Sequence, residues 1–261
     1  MIPRRHIASM AVIGWMALAA APAGAEHLVS SLSNHRVMVT SSFTGEDLVL
    51  FGSVERDNAD VPRRGGYDIV VTVTGPRESE RTRRKERVLG IWVNTDSRAF
   101  INVPSYLAVL SSKPVEAIGD ADTLRRLQVG LENIQLPQRI GPDLADVVHE
   151  DPFRKAFLRL KKEHGLYRDQ PNGVTFLTPT LFRASIPLPS NVPFGTYEID
   201  MKLFADGAMI ARSTSALEII KVGFEQFVAE AARDHGLAYG FSTAMLALLT
   251  GWFASVVFRR D

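Results

Sequence analysis

The chain has 261 residues, no cysteine and a net charge of +1. That length holds one large domain or two small ones, and the missing cysteine excludes disulfide staples, thiolate metal sites and cysteine nucleophiles. The near-neutral balance gives no electrostatic case for binding nucleic acid.

The N-terminus reads as a leader. "MIPRRH" is a short basic region, an apolar run follows, and Ala23-Gly24-Ala25 fits a small-residue cleavage site before Glu26. Residues 1–25 are therefore predicted to be a signal peptide and residues 26–222 an exported domain.

The first half of that domain has strand periodicity. "HRVMVT" puts Val37 and Val39 on one face, and "SSFTGED" is a turn before the apolar strand "LVLFGSV". In "YDIVVTVTGP", Ile69, Val71 and Val73 alternate with Val70, Thr72 and Thr74 until Gly75-Pro76 stops the strand. "PRESERTRRKER" carries six basic residues and three glutamates. It offers a docking site for an acidic partner or anionic lipid, but a solvated, mobile hairpin loop accounts for it more simply. "RVLGIWVN" and "RAFINVP" read as two strands joined by a turn at "TDS".

The pattern turns helical over about 120–168. Leu124, Leu127, Leu131 and Ile134 fall at helical spacing. In "DPFRKAFLRLKKEHG", Asp151 can cap, Pro152 suits the first turn, and Gly165 closes the helix. The last third returns to strands: "VTFLTPTLFRASIPLP" as one long or broken strand, then a hairpin. There Tyr197, Ile199, Met201 and Leu203 alternate with Glu198, Asp200 and Lys202 before the Asp206-Gly207 turn. The fold class is mainly β: an immunoglobulin-like β-sandwich with a helical insertion.

A helical stalk is predicted over 223–235. Residues 236–258 contain no charged side chain, and 23 helical residues reach about 34 Å, enough to cross a hydrocarbon core of about 30 Å. Arg259 and Arg260 follow, so residues 259–261 are expected to be a cytoplasmic stub. Within the span, Gly236, Gly240 and Ala244 form one small-residue row, and Ala247, Gly251 and Ser255 a second. Such rows let helices approach closely in lipid, here on two faces.

No nucleophile-elbow, P-loop or H-E-x-x-H pattern is present. His149, Asp151 and His164 flank one helix, whose ends lie about 20 Å apart, too far for one coordination sphere. Asp47, Asp68, Asp200 and Asp206 lack calcium-loop spacing, and turn chemistry explains them better. No catalytic, cofactor-binding or metal residue is assigned.

The order "FTGEDLVLFGSV", "YDIVVTVTGP", "RVLGIWVN", "PFGTYEIDMKLFADGAMIA" and a C-terminal span ending in arginine resembles an uncharacterised alphaproteobacterial family of transmembrane proteins, over nearly the whole mature chain. The resemblance transfers no functional residue. It implies an accessory role beside a transporter, by association with sulfite-exporter-type permeases. The reading is a non-enzymatic accessory protein, single-pass in the bacterial inner membrane, with its N-terminal domain periplasmic. Its expected partners are an integral membrane protein such as a transporter, the lipid bilayer, and a second copy through the span. The alternatives are an exported metal-dependent hydrolase and an envelope ligand sensor.

Overall fold

The structure is a computed structural model that describes residues 26–55, 66–140, 143–146, 150–223 and 232–257. The expected leader, His149, most of the expected stalk and the stub lie outside the described residues.

Two sheets pack face to face. The smaller runs β1 (His27–Leu32), β3 (Gly45–Glu55), β12 (Leu181–Pro189), β11 (Val174–Phe176). The larger runs β10 (Tyr167–Pro171), β7 (Leu107–Ser111), β4 (Asp68–Thr74), β13 (Gly195–Ala205), β14 (Ala208–Lys221), β2 (Arg36–Val39). β2 joins β14 in parallel and β10 joins β7 in parallel; the remaining pairs in both sheets are antiparallel. This is the immunoglobulin order, with β1-β3-β12-β11 as A-B-E-D and β4-β13-β14 as C-F-G.

Alternation drives the packing. On β13, Tyr197, Ile199, Met201 and Leu203 are buried in the core between the sheets, as are Ile69, Val71 and Val73 of β4. Val37 and Val39 of β2 join them while Met38 between them is exposed. Two aromatic residues organise the core. Phe182 of β12 lies opposite Gly52 of β3, and a Cβ on Gly52 would meet the Phe182 ring at 2.2 Å. Glycine is thus required for the ring to lie across its neighbour strand. Tyr197, near the start of β13, donates its hydroxyl to Pro193 O at 2.6 Å. That contact is the tyrosine corner of immunoglobulin-type sandwiches, and Ile199 stands where antibody domains carry a core cysteine.

A third layer covers the outer face of the larger sheet. Its apolar part joins Val70, Val109 and Phe204 to Phe100, Val103, Leu131 and Phe157 in a second core. The insertion departs from expectation. The helix expected to run through Leu131 stops early: α1 covers only Ala121–Arg126, because Gln128 (φ 53°) and Gly130 (φ 93°) turn left-handed. Leu131–Asn133 is a 3₁₀ turn, and β8 (Pro137–Ile140) and β9 (Asp143–Asp146) form a hairpin before α2 (Pro152–Glu163). α2 begins as expected, with Asp151 Oδ1 accepting from Arg154 N at 2.9 Å and proline in its first turn. Buried Arg154 donates to Glu132 O and Ile134 O, which pins the 3₁₀ turn to α2.

The charged run is not a loop. It is strand β5 (Arg77–Val88), paired along its length with β6 (Ile91–Pro104). The chain reverses at Leu89 (φ 50°) and Gly90 (φ 89°), the two left-handed residues of a type I′ turn. "TDS" lies within β6, where the register shifts around Thr95. The base of the ribbon is held by Lys161 of α2, which reaches Glu80 and Ser105 O and sits over the Phe157 and Tyr167 rings. The run at 174–189, expected as one long or broken strand, is broken at 177–180 and folds back as a hairpin, with β11 and β12 antiparallel.

Candidate functional site

The C-terminal helix α3 (Gly236–Val257) has 22 residues, none of them buried among the described residues. At about 1.5 Å per residue it reaches about 33 Å, a bilayer core's thickness. Leu237, Phe241, Leu248 and Trp252 are each at least 66% exposed, which is intolerable in water for a helix apolar all round. Its two threonine hydroxyls close on the helix backbone. Thr243 donates to Tyr239 O or Gly240 O, and Thr250 donates to Leu246 O at 2.7 Å. Hydroxyls satisfied inside the helix are what a lipid environment demands. The six small residues singled out in the sequence all lie on α3. At 3.6 residues per turn, Gly236, Gly240, Ala244, Ala247, Gly251 and Ser255 fall within an arc of roughly 100°, so the two rows merge into one stripe on one face. Added Cβ atoms at Gly236, Gly240 and Gly251 would meet nothing within 4 Å.

The second candidate is a half-open cavity of about 420 Å³ on the outer face of the larger sheet, walled on one side by the third layer. Its floor comes from alternation: Thr72 and Thr74 of β4, Glu198, Asp200 and Lys202 of β13 and Arg212 of β14 all point away from the sandwich core. Its wall includes Arg77, Asn102, Arg126 and Gln128. Asp200 and Lys202 are buried and paired with each other. Arg212 grips the same carboxylate with Nε at 2.7 Å and Nη2 at 3.1 Å, and this raises the guanidinium pKa further. Thr72 Oγ1 is buried with no hydrogen-bond partner among the described residues, although such groups are normally paired. Two residues with left-handed backbones, Asn102 (φ 56°) and Gln128, line the same cavity. Four cationic side chains therefore face two carboxylates around an unpartnered hydroxyl. The arrangement suits a small anion; it offers no nucleophile–base pair.

The sequence missed this cavity. One signal was legible, Asp200 and Lys202 two apart on one strand face, opposite Arg212 across the hairpin. That face looks solvent-directed until the insertion is known to cover it. Of the carboxylates weighed for calcium, Asp68 binds Ser112 and Lys113. Asp206 sits in the β13–β14 turn at φ 51°, and Asp200 is a buried ion-pair member and not a turn residue. Asp151 caps α2, and His164 is the C-terminal cap of the same helix. Among the described residues no group of three or more His, Asp or Glu side chains gathers to hold a metal.

No curated protein matches the chain. One family model does, over residues 27–260, and its description is "Putative transmembrane protein" with the family name Alph_Pro_TM. The match spans the sandwich, the insertion and α3 together, so the chain belongs to this alphaproteobacterial transmembrane family.

Proposed function

We propose that the protein is a membrane-anchored accessory subunit. A cleaved leader exports the sandwich to the periplasm, α3 crosses the inner membrane, and the stripe on α3 docks against an integral membrane partner. The partner class is a transporter, and a sulfite-exporter-type permease is the specific candidate that the family resemblance implies. The observation that carries this reading is α3 itself, a 22-residue apolar helix unburied among the described residues and smooth along one face. In lipid, helices associate through close van der Waals contact, so side-chain size on that face decides affinity. The test compares Gly240→Leu and Gly251→Leu with Val256→Leu, which lies off the stripe, in membrane cross-linking and detergent co-purification. The glycine variants are expected to insert normally and lose the partner, while the valine variant keeps it. Two differently tagged copies in the same cells show whether that partner is a second copy of the chain. Retention of every association by both glycine variants would leave the helix as a tether only.

The charged cavity supports a second reading, an envelope ligand sensor. A small oxyanion or carboxylate would face four cations and accept a hydrogen bond from Thr72. Titration calorimetry of the full chain in detergent with sulfate, phosphate and acetate tests it. Binding is expected to weaken at least tenfold in Lys202→Met, and heat signals that are equal for both proteins would remove the sensor reading.

A further inference from the structure

We propose that the tip of the β5–β6 ribbon is a lipid-dipping element that enters the surface of an anionic bilayer. From Arg83 and Ser97 outward, neither strand contributes a buried side chain. Six residues of β5 project there, a free ribbon about 20 Å long. Its end is apolar. Leu89 is 99% exposed, Trp92 69% and Ile91 65%, with Val88 beside them. Water-exposed ribbons end in polar turns such as Asn-Gly; this one ends in Leu-Gly.

The distribution of these side chains selects the occupant. Val88 and Ile91 are a cross-strand pair on one face of the ribbon, whereas Trp92 pairs with Arg87 on the other, and Leu89 caps the end. The apolar groups surround the tip. A protein groove would cover one face and leave the other in water; a bilayer surrounds the whole tip. Just behind it lies a cationic collar of Arg83, Arg84, Lys85 and Arg87, against Glu86 and Asp96 only. Arg84 is paired with Glu86, and Arg87 donates to Gly90 O at 3.2 Å. An apolar tip, one tryptophan and a collar of cations at the right depth match acyl chains, interface and anionic headgroups in that order. The base is fixed by Lys161, so the arm is presented as one piece with the sandwich. Membership of a transmembrane family keeps the arm within reach of a bilayer, which raises the effective lipid concentration it meets.

The chain has no cysteine, so a single introduced thiol reports without background. Full-length Leu89→Cys carrying a nitrobenzoxadiazole label is reconstituted into vesicles of phosphatidylcholine alone or mixed with phosphatidylglycerol. Met209→Cys, on the sandwich, is the control. The Leu89 label is expected to shift blue, brighten several-fold with phosphatidylglycerol and be quenched by nitroxide-bearing lipid, while the Met209 label stays aqueous. Reversing Arg83, Lys85 and Arg87 to glutamate should abolish the phosphatidylglycerol dependence without changing the circular dichroism of the domain. A Leu89 label that stays in water in both vesicles overturns the proposal. So does one shielded in native membranes but aqueous in pure lipid, which would assign the tip to a protein partner.

Discussion

The sandwich and helix α3 dispose of their apolar side chains in opposite ways. Phe182, Ile186, Met201 and Leu203 are at or near zero exposure between two sheets of the same chain. Leu237, Leu248 and Trp252 lie outside both cores and stand at 66% exposure or more. The first region completes its own solvent; the second must be given one. Stability should therefore reside in the sandwich and association in α3, and a substitution in one should leave the other's property intact.

The largest effect belongs in the sandwich. Phe182→Ala removes a fully buried ring and should cost about 3–5 kcal/mol, measured by denaturant unfolding followed by circular dichroism. Leu248→Ala on α3 should move the same transition by less than about 0.5 kcal/mol. Equal shifts would mean that α3 packs on the sandwich after all. Gly52→Ala comes next. Its Cβ needs the space of the Phe182 ring, and the overpacking should cost about 1–3 kcal/mol. Tyr197→Phe deletes the corner hydrogen bond to Pro193 O and should cost about 1 kcal/mol.

The smallest effect depends on pH. Burial raises the carboxyl pKa of Asp169 above the ordinary carboxylate value, with Glu116 adding to it. The folded state then favours the protonated acid, so this group's contribution is full below the unfolded pKa of about 4 and is lost as pH rises through the folded value. Asp169→Asn should be more stable than the parent at neutral pH, and the two should converge in acid. A gap that widens in acid would show that Asp169 is held by a favourable pairing.

The elements legible in the sequence are those whose pattern has a local cause. β13 alternates because one face meets the core, α2 carries its Asp151 cap and Pro152, and α3 is uncharged because its surroundings are apolar. In the ribbon, "RAFINVP" of β6 reads as a strand, but β5 was illegible for the converse reason. Solvent meets both its faces, so no apolar alternation marks β5 as a strand, and its turn is Leu-Gly, outside the usual signals. The helix expected through Leu131 failed at Gln128, whose left-handed backbone no local propensity announces. The cavity needed a long-range fact: the insertion folds over the outer face of β4 and β13, turning Asp200 and Lys202 from surface residues into buried ones.

The central claim, an exported sandwich held by one membrane-crossing helix, can be tested by thiol accessibility in intact cells. Single cysteines at Met209, on the sandwich, and at Asp261, at the C-terminus, have no native thiol to compete with. A membrane-impermeant maleimide added to cells with a permeabilised outer membrane should label Met209→Cys at once. It should label Asp261→Cys only after the inner membrane is broken. Labelling of both before lysis, or of Asp261→Cys alone, would contradict the account.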